Sequence, residues 1–140
     1  MCDAFLWQVS QTERFQGAEF DVIHGHDWLC VRALTQAKRN RRRRVIMTVH
    51  STEYGRCGNQ HRGGMSDRIS HMEWEGTQAA DRVICVSAVL RQEAQRLYAV
   101  PAGRAVVVYN GVSAHQFDGP LDVGVVKQQY GIAPMDPTIL

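Results

Sequence analysis

Short apolar runs alternate with amphipathic stretches along the chain, and this pattern predicts alternating strands and helices. Four runs, most of them rich in β-branched residues, predict buried strands at residues 20–23, 45–49, 82–86 and 105–109. The stretches between them carry apolar residues at helical spacing and predict helices over residues 28–37, 66–80 and 87–98, with a weaker helix over residues 4–15. This order of elements is typical of an α/β fold with a parallel sheet and right-handed crossovers.

Local signals refine this outline. Ser66 and Ser87 stand where the N-caps of two of the predicted helices are expected. Residues 50–65 are rich in glycine and polar side chains, which indicates a functional loop. Near the end of the chain, a short helix is predicted around residues 123–130, and residues 138–140 are interpreted as the opening of another strand.

Composition excludes several classes of protein. The chain has 140 residues, of which 44% are hydrophobic and 21% charged, as in an ordinary globular domain. No apolar run approaches the roughly 20 residues of a membrane-spanning helix. The first residues include Asp3 and no basic stretch, which argues against a secretory signal. Four cysteines lie far apart without a C-x-x-C pair, which favours free thiols and a cytoplasmic location.

The positive charge is local. Six of the sixteen basic residues lie in residues 38–44 (KRNRRRR), which begin at Lys38 and end at Arg44. The other ten basic residues are outnumbered by fourteen acidic ones, so no broad basic face is expected. A short like-charge run usually forms a solvated loop, although this one could contact an anionic membrane surface weakly. We expect no specific nucleic acid partner, and DNA binding through this run stays an alternative to be tested by its salt dependence.

Polar side chains follow each predicted strand. His24, His26 and Asp27 follow the first strand, Ser87 follows the third, and Asn110 follows the fourth. The second strand is followed by a longer polar series: His50, Ser51, Thr52, Glu53, Tyr54 and Arg56. In an open parallel sheet, ligands bind beyond the carboxyl ends of the strands. The sequence therefore predicts a ligand site at this edge.

The residue types at this edge suit hydroxyl-rich ligands. An aspartate accepts hydrogen bonds from sugar hydroxyls, and neutral histidine and asparagine both donate and accept. Helix starts at Ser66 and Ser87 would favour a phosphate, because free N–H groups and the helix dipole attract anions. A sugar that carries a diphosphate is thus a natural ligand class. The alternative is that His24 and His26 simply pack near a strand end while Asp27 caps the next helix.

A metal-dependent hydrolase is a further alternative. The sequence H-G-H-D resembles the start of the H-x-H-x-D-H metal signature, but Asp27 follows His26 directly and the spacing fails. A third ligand would have to come from His50, Cys57 or His61. No P-loop and no G-x-G-x-x-G motif occurs, and Ser87 lacks the G-x-S-x-G context of a hydrolase nucleophile. We therefore expect no metal and no cofactor.

Four segments carry a resemblance to a known family. They are FDVIHGHDW (20–28), VIMTVHSTEYGR (45–56), ADRVICVS (80–87) and VVVYNGVSAHQF (106–117). In this order they resemble the amino-terminal domain of retaining GT-B glycosyltransferases of the glycogen synthase-like group, family four. HSTEYGR and the later MEWEGTQAAD (72–81) resemble a bacterial and archaeal subset. The resemblance implies a Rossmann-like domain on the acceptor side of a cleft, with a second such domain opposite.

The resemblance also implies roles for individual residues. His50 and Asp27 match the active-site histidine and the carboxylate that contacts sugar hydroxyls, and they are the catalytic candidates. The substrate-binding candidates are His26, Ser87 and Asn110, together with Tyr54 and Arg56, which are candidates for acceptor contacts by their position alone. The implied reaction is hexosyl transfer from a nucleoside diphosphate sugar to a hydroxyl acceptor with retention of configuration. His50 and Asp27 would orient and stabilise an oxocarbenium-like transition state rather than attack.

The sequence departs from the family pattern at both ends. The opening strand and Gly-rich loop of the family are absent before Phe20, and neither the Arg/Lys pair nor the E-x7-E motif of the carboxyl domain is present. We therefore expect residues 1–118 to be the later part of an amino-terminal domain. Residues 119–140 are expected to be a linker and the first strand of a missing carboxyl-terminal domain. The chain alone is expected to be inactive, and a non-catalytic module that binds sugar or phosphate is the alternative.

Overall fold

A computed structural model describes residues 2–17, 19–39 and 43–139. The helices are α1 (Cys2–Gln16), α2 (Val31–Arg39), α3 (Glu53–Arg56), α4 (Met65–Ala79), α5 (Ala88–Tyr98) and α6 (Val123–Gln129). The strands are β1 (Val22–His26), β2 (Arg44–Val49), β3 (Arg82–Cys85) and β4 (Ala105–Val107). Two 3-10 turns lie at Trp28–Cys30 and Ala114–Phe117.

The four strands form one parallel sheet in the order β1-β2-β3-β4. This confirms the predicted α/β class, with helices connecting consecutive parallel strands. The register pairs His26 with Thr48, Thr48 with Ile84, and Ile84 with Val106. Because side chains alternate between the faces of a sheet, these four residues lie on the same face.

The hydrophobic core lies on the other face of the sheet. Ile23, Val45, Met47 and Val83 are buried there, in one cluster with residues of α1, α2 and α5. On the opposite face, His24 and His26 are exposed. Because side chains alternate between the two faces along β1, its buried residues face the helices and both imidazoles face solvent.

Two glycines permit the close approach of helices to the sheet. A Cβ at Gly25 would lie 2.5 Å from Sγ of Cys30 and 2.9 Å from the Leu34 side chain. A Cβ at Gly76 would lie 2.5 Å from Cγ2 of Val31. Gly76 lowers the helix propensity of α4, but a residue with a Cβ at this position would collide with Val31.

Several predicted boundaries differ from the structure. Strand β1 continues through His26, so His24 and His26 lie within the strand and not after it. The prediction of Ser66 as an N-cap is wrong, because α4 begins at Met65 and Gly64 occupies the N-cap position. Ser87 does cap α5, and its hydroxyl accepts the Leu90 N–H at 3.0 Å. The predicted loop over residues 50–65 contains the one-turn helix α3.

The chain divides into two compact units, Met1–Asn110 and Gly111–Leu140. The second unit contains α6, which Asp122 caps by accepting the Val125 N–H at 3.1 Å. Residues 138 and 139 adopt no regular structure, and Leu140, the last residue of the predicted strand, lies outside the described residues. Within the described ranges, no helix is both long enough and apolar enough to cross a bilayer. Cys2, Cys30, Cys57 and Cys85 are free.

The basic run is partly ion-paired. Lys38 lies 2.5 Å from Asp81, and Arg44 lies 3.7 Å from the same carboxylate. Arg43 pairs with Glu13 of α1 at 2.5 Å. Residues 40–42 of the run lie outside the described residues. These three cations thus join elements of the fold, while membrane contact through the run stays a prediction.

Candidate functional site

Three histidines form a row at the carboxyl ends of β1 and β2. The ring centroids of His24 and His26 are 4.6 Å apart, and those of His26 and His50 are 5.3 Å apart, both in stacked orientation. Nδ1 of His26 and Nε2 of His50 are 3.0 Å apart and share a hydrogen bond. We call His24, His26 and His50 the histidine row.

The parallel register explains this row. His24 and His26 are two residues apart on β1 and therefore project to the same face. Thr48 of β2 pairs with His26 of β1, and the Thr48 hydroxyl oxygen lies 2.7 Å from Nε2 of His24. His50 follows Thr48 by two residues and continues the same face beyond the strand.

Asp27 is held against this row by its backbone and its side chain. Its N–H donates to the Thr48 carbonyl at 2.8 Å, and its Oδ1 accepts the His50 N–H at 2.8 Å. The residue adopts φ 54° and ψ −172°, a region that non-glycine residues rarely occupy. Its side chain makes no capping hydrogen bond to the following 3-10 turn, so the alternative interpretation of Asp27 as a helix cap is wrong.

The protonation of this edge follows from its surroundings. Partial desolvation of the His24 ring, and then the neighbouring His26, lower the pKa of His24 below its ordinary value, so its neutral form is favoured. Burial raises the pKa of the Cys30 thiol to about 11. That thiol donates to the carbonyls of His26 at 3.1 Å and Asp27 at 3.0 Å. Cys30 therefore supports the end of β1 as a neutral donor.

A buried network fixes the turn that follows His50. The carboxylate of Glu73, which is 1% exposed, accepts the Glu53 N–H at 2.9 and 3.1 Å. Arg56 reaches the same carboxylate at 2.6 Å, and the Tyr98 hydroxyl also donates to it. Arg56 in addition donates to the Ser51 hydroxyl at 2.7 Å. The network thus joins α3, α4 and α5 and holds the turn that begins after His50.

Electrostatics favour the charged forms of Arg56 and Glu53. Burial alone would lower the pKa of Arg56, but its bonds to Glu73 and Glu53 raise the pKa above its ordinary value. Burial likewise opposes ionisation of Glu53, yet hydrogen bonds from Cys57, Arg56 and Ser66 lower its pKa overall. The guanidinium of Arg56, a predicted substrate contact, is therefore engaged in internal ion pairs. Sequence reasoning missed Glu73, although an acidic residue within the apolar stripe of α4 was the available signal.

The remaining candidates lie apart from the histidine row. The Tyr54 ring packs at 5.1 Å from His61 and lines a cleft with Trp74 and Arg96. The Ser87 hydroxyl is occupied as the cap of α5. Asn110 is exposed at the last position of the first unit. Only His26, Asp27 and His50, joined by His24, come together as the sequence predicts.

The described residues do not assemble a metal-ligand set. Across residues 2–17, 19–39 and 43–139, no group of three or more His, Cys, Asp or Glu side chains is arranged to hold a metal ion. Of the proposed third ligands, His61 packs against Tyr54, and the Cys57 thiol donates to Glu53 at 3.3 Å. The geometry therefore gives no support to the metal-dependent hydrolase alternative.

Comparison with known proteins relates the chain as a whole to a family. The family model described as Glycosyltransferase Family 4 matches residues 4–116, which include all four strands. An uncharacterized glycosyltransferase of Methanocaldococcus jannaschii is 35% identical over 100 residues, which are 71% of this chain and 25% of that protein. A glycogen synthase of Mycobacterium tuberculosis is 28% identical over 94 residues, 67% of this chain and 23% of that enzyme. The alignments thus cover about a quarter of the length of these relatives.

Proposed function

This chain belongs to glycosyltransferase family 4, and from that premise we propose the reaction in which its histidine row takes part. The reaction is transfer of a hexosyl unit from a nucleoside diphosphate sugar to a hydroxyl acceptor, with retention of the anomeric configuration. The first unit would form the acceptor side of a GT-B cleft. We also propose a cytoplasmic location, which the free thiols support.

The observation that carries this proposal is the convergence of the histidine row and Asp27 at the carboxyl ends of β1 and β2. Ligands of open parallel sheets bind at this edge. The exposed imidazoles of His26 and His50 face solvent there and can meet a ligand. One oxygen of Asp27 is occupied by the His50 N–H, which leaves the other oxygen for a sugar hydroxyl.

The hydrogen bond between His26 and His50 defines what the pair offers to a ligand. If Nδ1 of His26 donates, its Nε2 is an acceptor and Nδ1 of His50 carries a proton. If Nε2 of His50 donates, these roles are exchanged. A neutral pair therefore presents one donor and one acceptor at its two outer nitrogens in either tautomer. This combination suits a hydroxyl group, which both donates and accepts.

In the transition state, these groups would orient the sugar and stabilise developing positive charge. The Asp27 carboxylate supplies a fixed negative charge, which favours an oxocarbenium-like species. Neither His50 nor Asp27 needs to form a covalent bond with the sugar in this proposal. Ser87 would contribute by capping α5, and Asn110 stays a candidate substrate contact at the cleft.

A binding experiment tests the site. We would titrate the 15N-labelled chain with methyl α-D-glucopyranoside and with UDP-glucose and follow the amides of His26, Asp27 and His50. Saturable shifts are expected, and His50→Ala should weaken binding about tenfold, the effect of losing one good hydrogen bond. His115→Ala in the second unit is the matched control and should bind like the wild type. Absence of shifts at millimolar ligand, or equal binding by His50→Ala, would overturn the proposal.

Turnover is a separate measurement. Because the alignments cover about a quarter of the relatives, we expect the chain alone to bind without transferring labelled glucose from UDP-glucose. Transfer by the chain alone would contradict the need for an opposing half of the cleft. In a longer protein that contains this chain, the anomer of the product reports the stereochemistry, and an inverted product would overturn retention.

A further inference from the structure

A second cleft, about 400 Å³ in volume, lies in the helical layer where α3 meets α4 and α5. It is distinct from the histidine row, none of whose members lines it. Its lining combines aromatic rings with hydrogen-bonding groups: Tyr54, His61, Ser70, His71, Trp74 and Arg96. Aromatic walls with a few convergent polar groups are characteristic of small-molecule sites.

Arg96 provides the positive charge of this cleft. Its guanidinium carbon lies 5.1 Å from the centroid of the Tyr54 ring, in cation–π geometry. Within the part of the chain that the structure describes, no ion pair of 4.0 Å or less involves Arg96. None of the described residues that line the cleft is acidic. An anionic group entering the cleft would therefore meet a cation that lacks a close ion pair. Two carboxylates lie next to lining residues and are already engaged: Glu75 lies 3.6 Å from His71, and Glu73 accepts the Tyr98 hydroxyl.

The aromatic rings provide stacking surfaces beside this charge. The Trp74 side chain is 43% exposed, and its ring is stacked with His71 at a centroid distance of 5.4 Å. Tyr54 packs against His61 in the same lining, with ring centroids 5.1 Å apart. A large indole kept at the surface costs hydrophobic free energy unless a ligand covers it. The rings thus favour a ligand with a ring face of its own.

We propose that this cleft binds a phosphorylated saccharide. The sugar ring would pack on Trp74 and Tyr54, and the phosphate would pair with Arg96. The hydroxyl of Ser70 and the imidazoles of His61 and His71 surround the cleft and match hydroxyls distributed around a pyranose. A nucleobase carries its polar groups in a single plane and would use fewer of them. This site does not include the histidine row, so either proposal can fail without affecting the other.

Calorimetry and the indole NMR signal of Trp74 test the proposal together. The probes are glucose 6-phosphate, glucose, inorganic phosphate and UMP, each added to the 140-residue chain. Glucose 6-phosphate should bind saturably, should shift the Trp74 indole signal, and should bind more tightly than the other three. Arg96→Gln should weaken it at least about tenfold, because a charge-assisted bond to the phosphate is lost. Arg68→Gln, which replaces an exposed arginine of α4 outside the cleft, should bind like the wild type.

A second pair of variants keeps the proposal falsifiable. Trp74→Phe retains an aromatic face and should retain most of the affinity, whereas Trp74→Ala should lose it. Three outcomes would overturn the proposal: no saturable binding of glucose 6-phosphate, equal binding by Arg96→Gln, or binding of UMP or inorganic phosphate at least as tight. Because His50→Ala leaves this cleft intact, failure here and failure at the histidine row are distinguishable.

Discussion

The N–H of His50 donates to Oδ1 of Asp27 at 2.8 Å and joins the loop after β2 to the end of β1. The two residues that the family resemblance marks as catalytic are thus positioned by each other. The bond is made although Asp27 occupies backbone angles that cost about 1–3 kcal/mol for a side chain with a Cβ. Strained residues of this kind concentrate at functional sites, where the surrounding structure holds them.

Substitutions of Asp27 separate its backbone strain from its hydrogen bond. Asp27→Ala keeps the strained angles and loses the bond, so its free energy of unfolding should fall by about 1 kcal/mol. Asp27→Gly also loses the bond but relieves the strain, and should be more stable than Asp27→Ala by about 1 kcal/mol or more. Urea unfolding measures both values. Equal stability of the two variants would contradict the strain argument, and both should lose glucoside binding.

Glu73 is expected to be the most sensitive residue of the buried network that joins α3, α4 and α5. Glu73→Gln removes the negative charge that faces Arg56 at 2.6 Å in a buried setting and should cost about 3 kcal/mol of stability. Glu75→Gln, on the same helix but exposed, is the matched control and should change stability by less than about 0.5 kcal/mol. Thermal and urea unfolding provide the comparison. Similar effects for the two variants would show that the buried network is not what stabilises this region.

The lowered pKa of His24 predicts a pH dependence of stability. In the unfolded chain this histidine binds a proton near pH 6.5, whereas the folded state resists protonation to lower pH. As the pH falls below about 6.5 the unfolded state binds more protons, so stability should decrease until the lowered folded pKa is passed. His24→Gln should flatten this slope between pH 7 and 5, measured by urea unfolding. His115→Gln should leave it unchanged, and an unchanged slope in His24→Gln would refute the assignment.

The close packing of α4 on the sheet can be tested at Gly76. Gly76→Ala raises helix propensity by about 1 kcal/mol, but its Cβ would lie 2.5 Å from Val31 and 2.7 Å from Met47. Overpacking should prevail and destabilise the protein by about 1–3 kcal/mol. Gly103→Ala meets no atom within 4 Å and should be neutral or slightly stabilising. A stabilised Gly76→Ala would show that the helix has room to shift.

Much of the fold could be predicted because the signals are local. The apolar periodicities identify every strand and the main helices, and the Ser87 cap is visible as a serine before an amphipathic stretch. The predicted boundaries of strands and helices are less accurate where the intrinsic propensity of a residue and its observed pairing or cap position disagree. His24 and His26 carry little strand propensity, yet pairing with Ile46 and Thr48 extends β1 through them. Ser66 is a good cap by chemistry, but Gly64 takes that position through a positive φ.

The candidate site, like the fold, could be predicted from the sequence only in part. Histidine at positions 24, 26 and 50 and the acid at 27 are sequence facts, and strand-end logic alone suggests that they share one edge. Their stacking and the bond between His26 and His50 depend on the register between β1 and β2. Arg56 bonds to Glu73, which lies 17 residues farther along the chain, and Tyr54 packs with Arg96, which lies 42 residues farther along. The roles of Tyr54 and Arg56 depend on these distant partners.

The sequence by itself determined the alternation of strands and helices, the family, and the residue types available at the sheet edge, because these follow from local periodicity and from motifs of adjacent residues. Tertiary structure alone decided which of those side chains are exposed at the sheet edge. Arg56 turns inward because a buried carboxylate on α4 needs a cation, while the imidazoles stay exposed because strand alternation places them opposite the core. Such choices arise from contacts between distant segments, and no local pattern of residues specifies them.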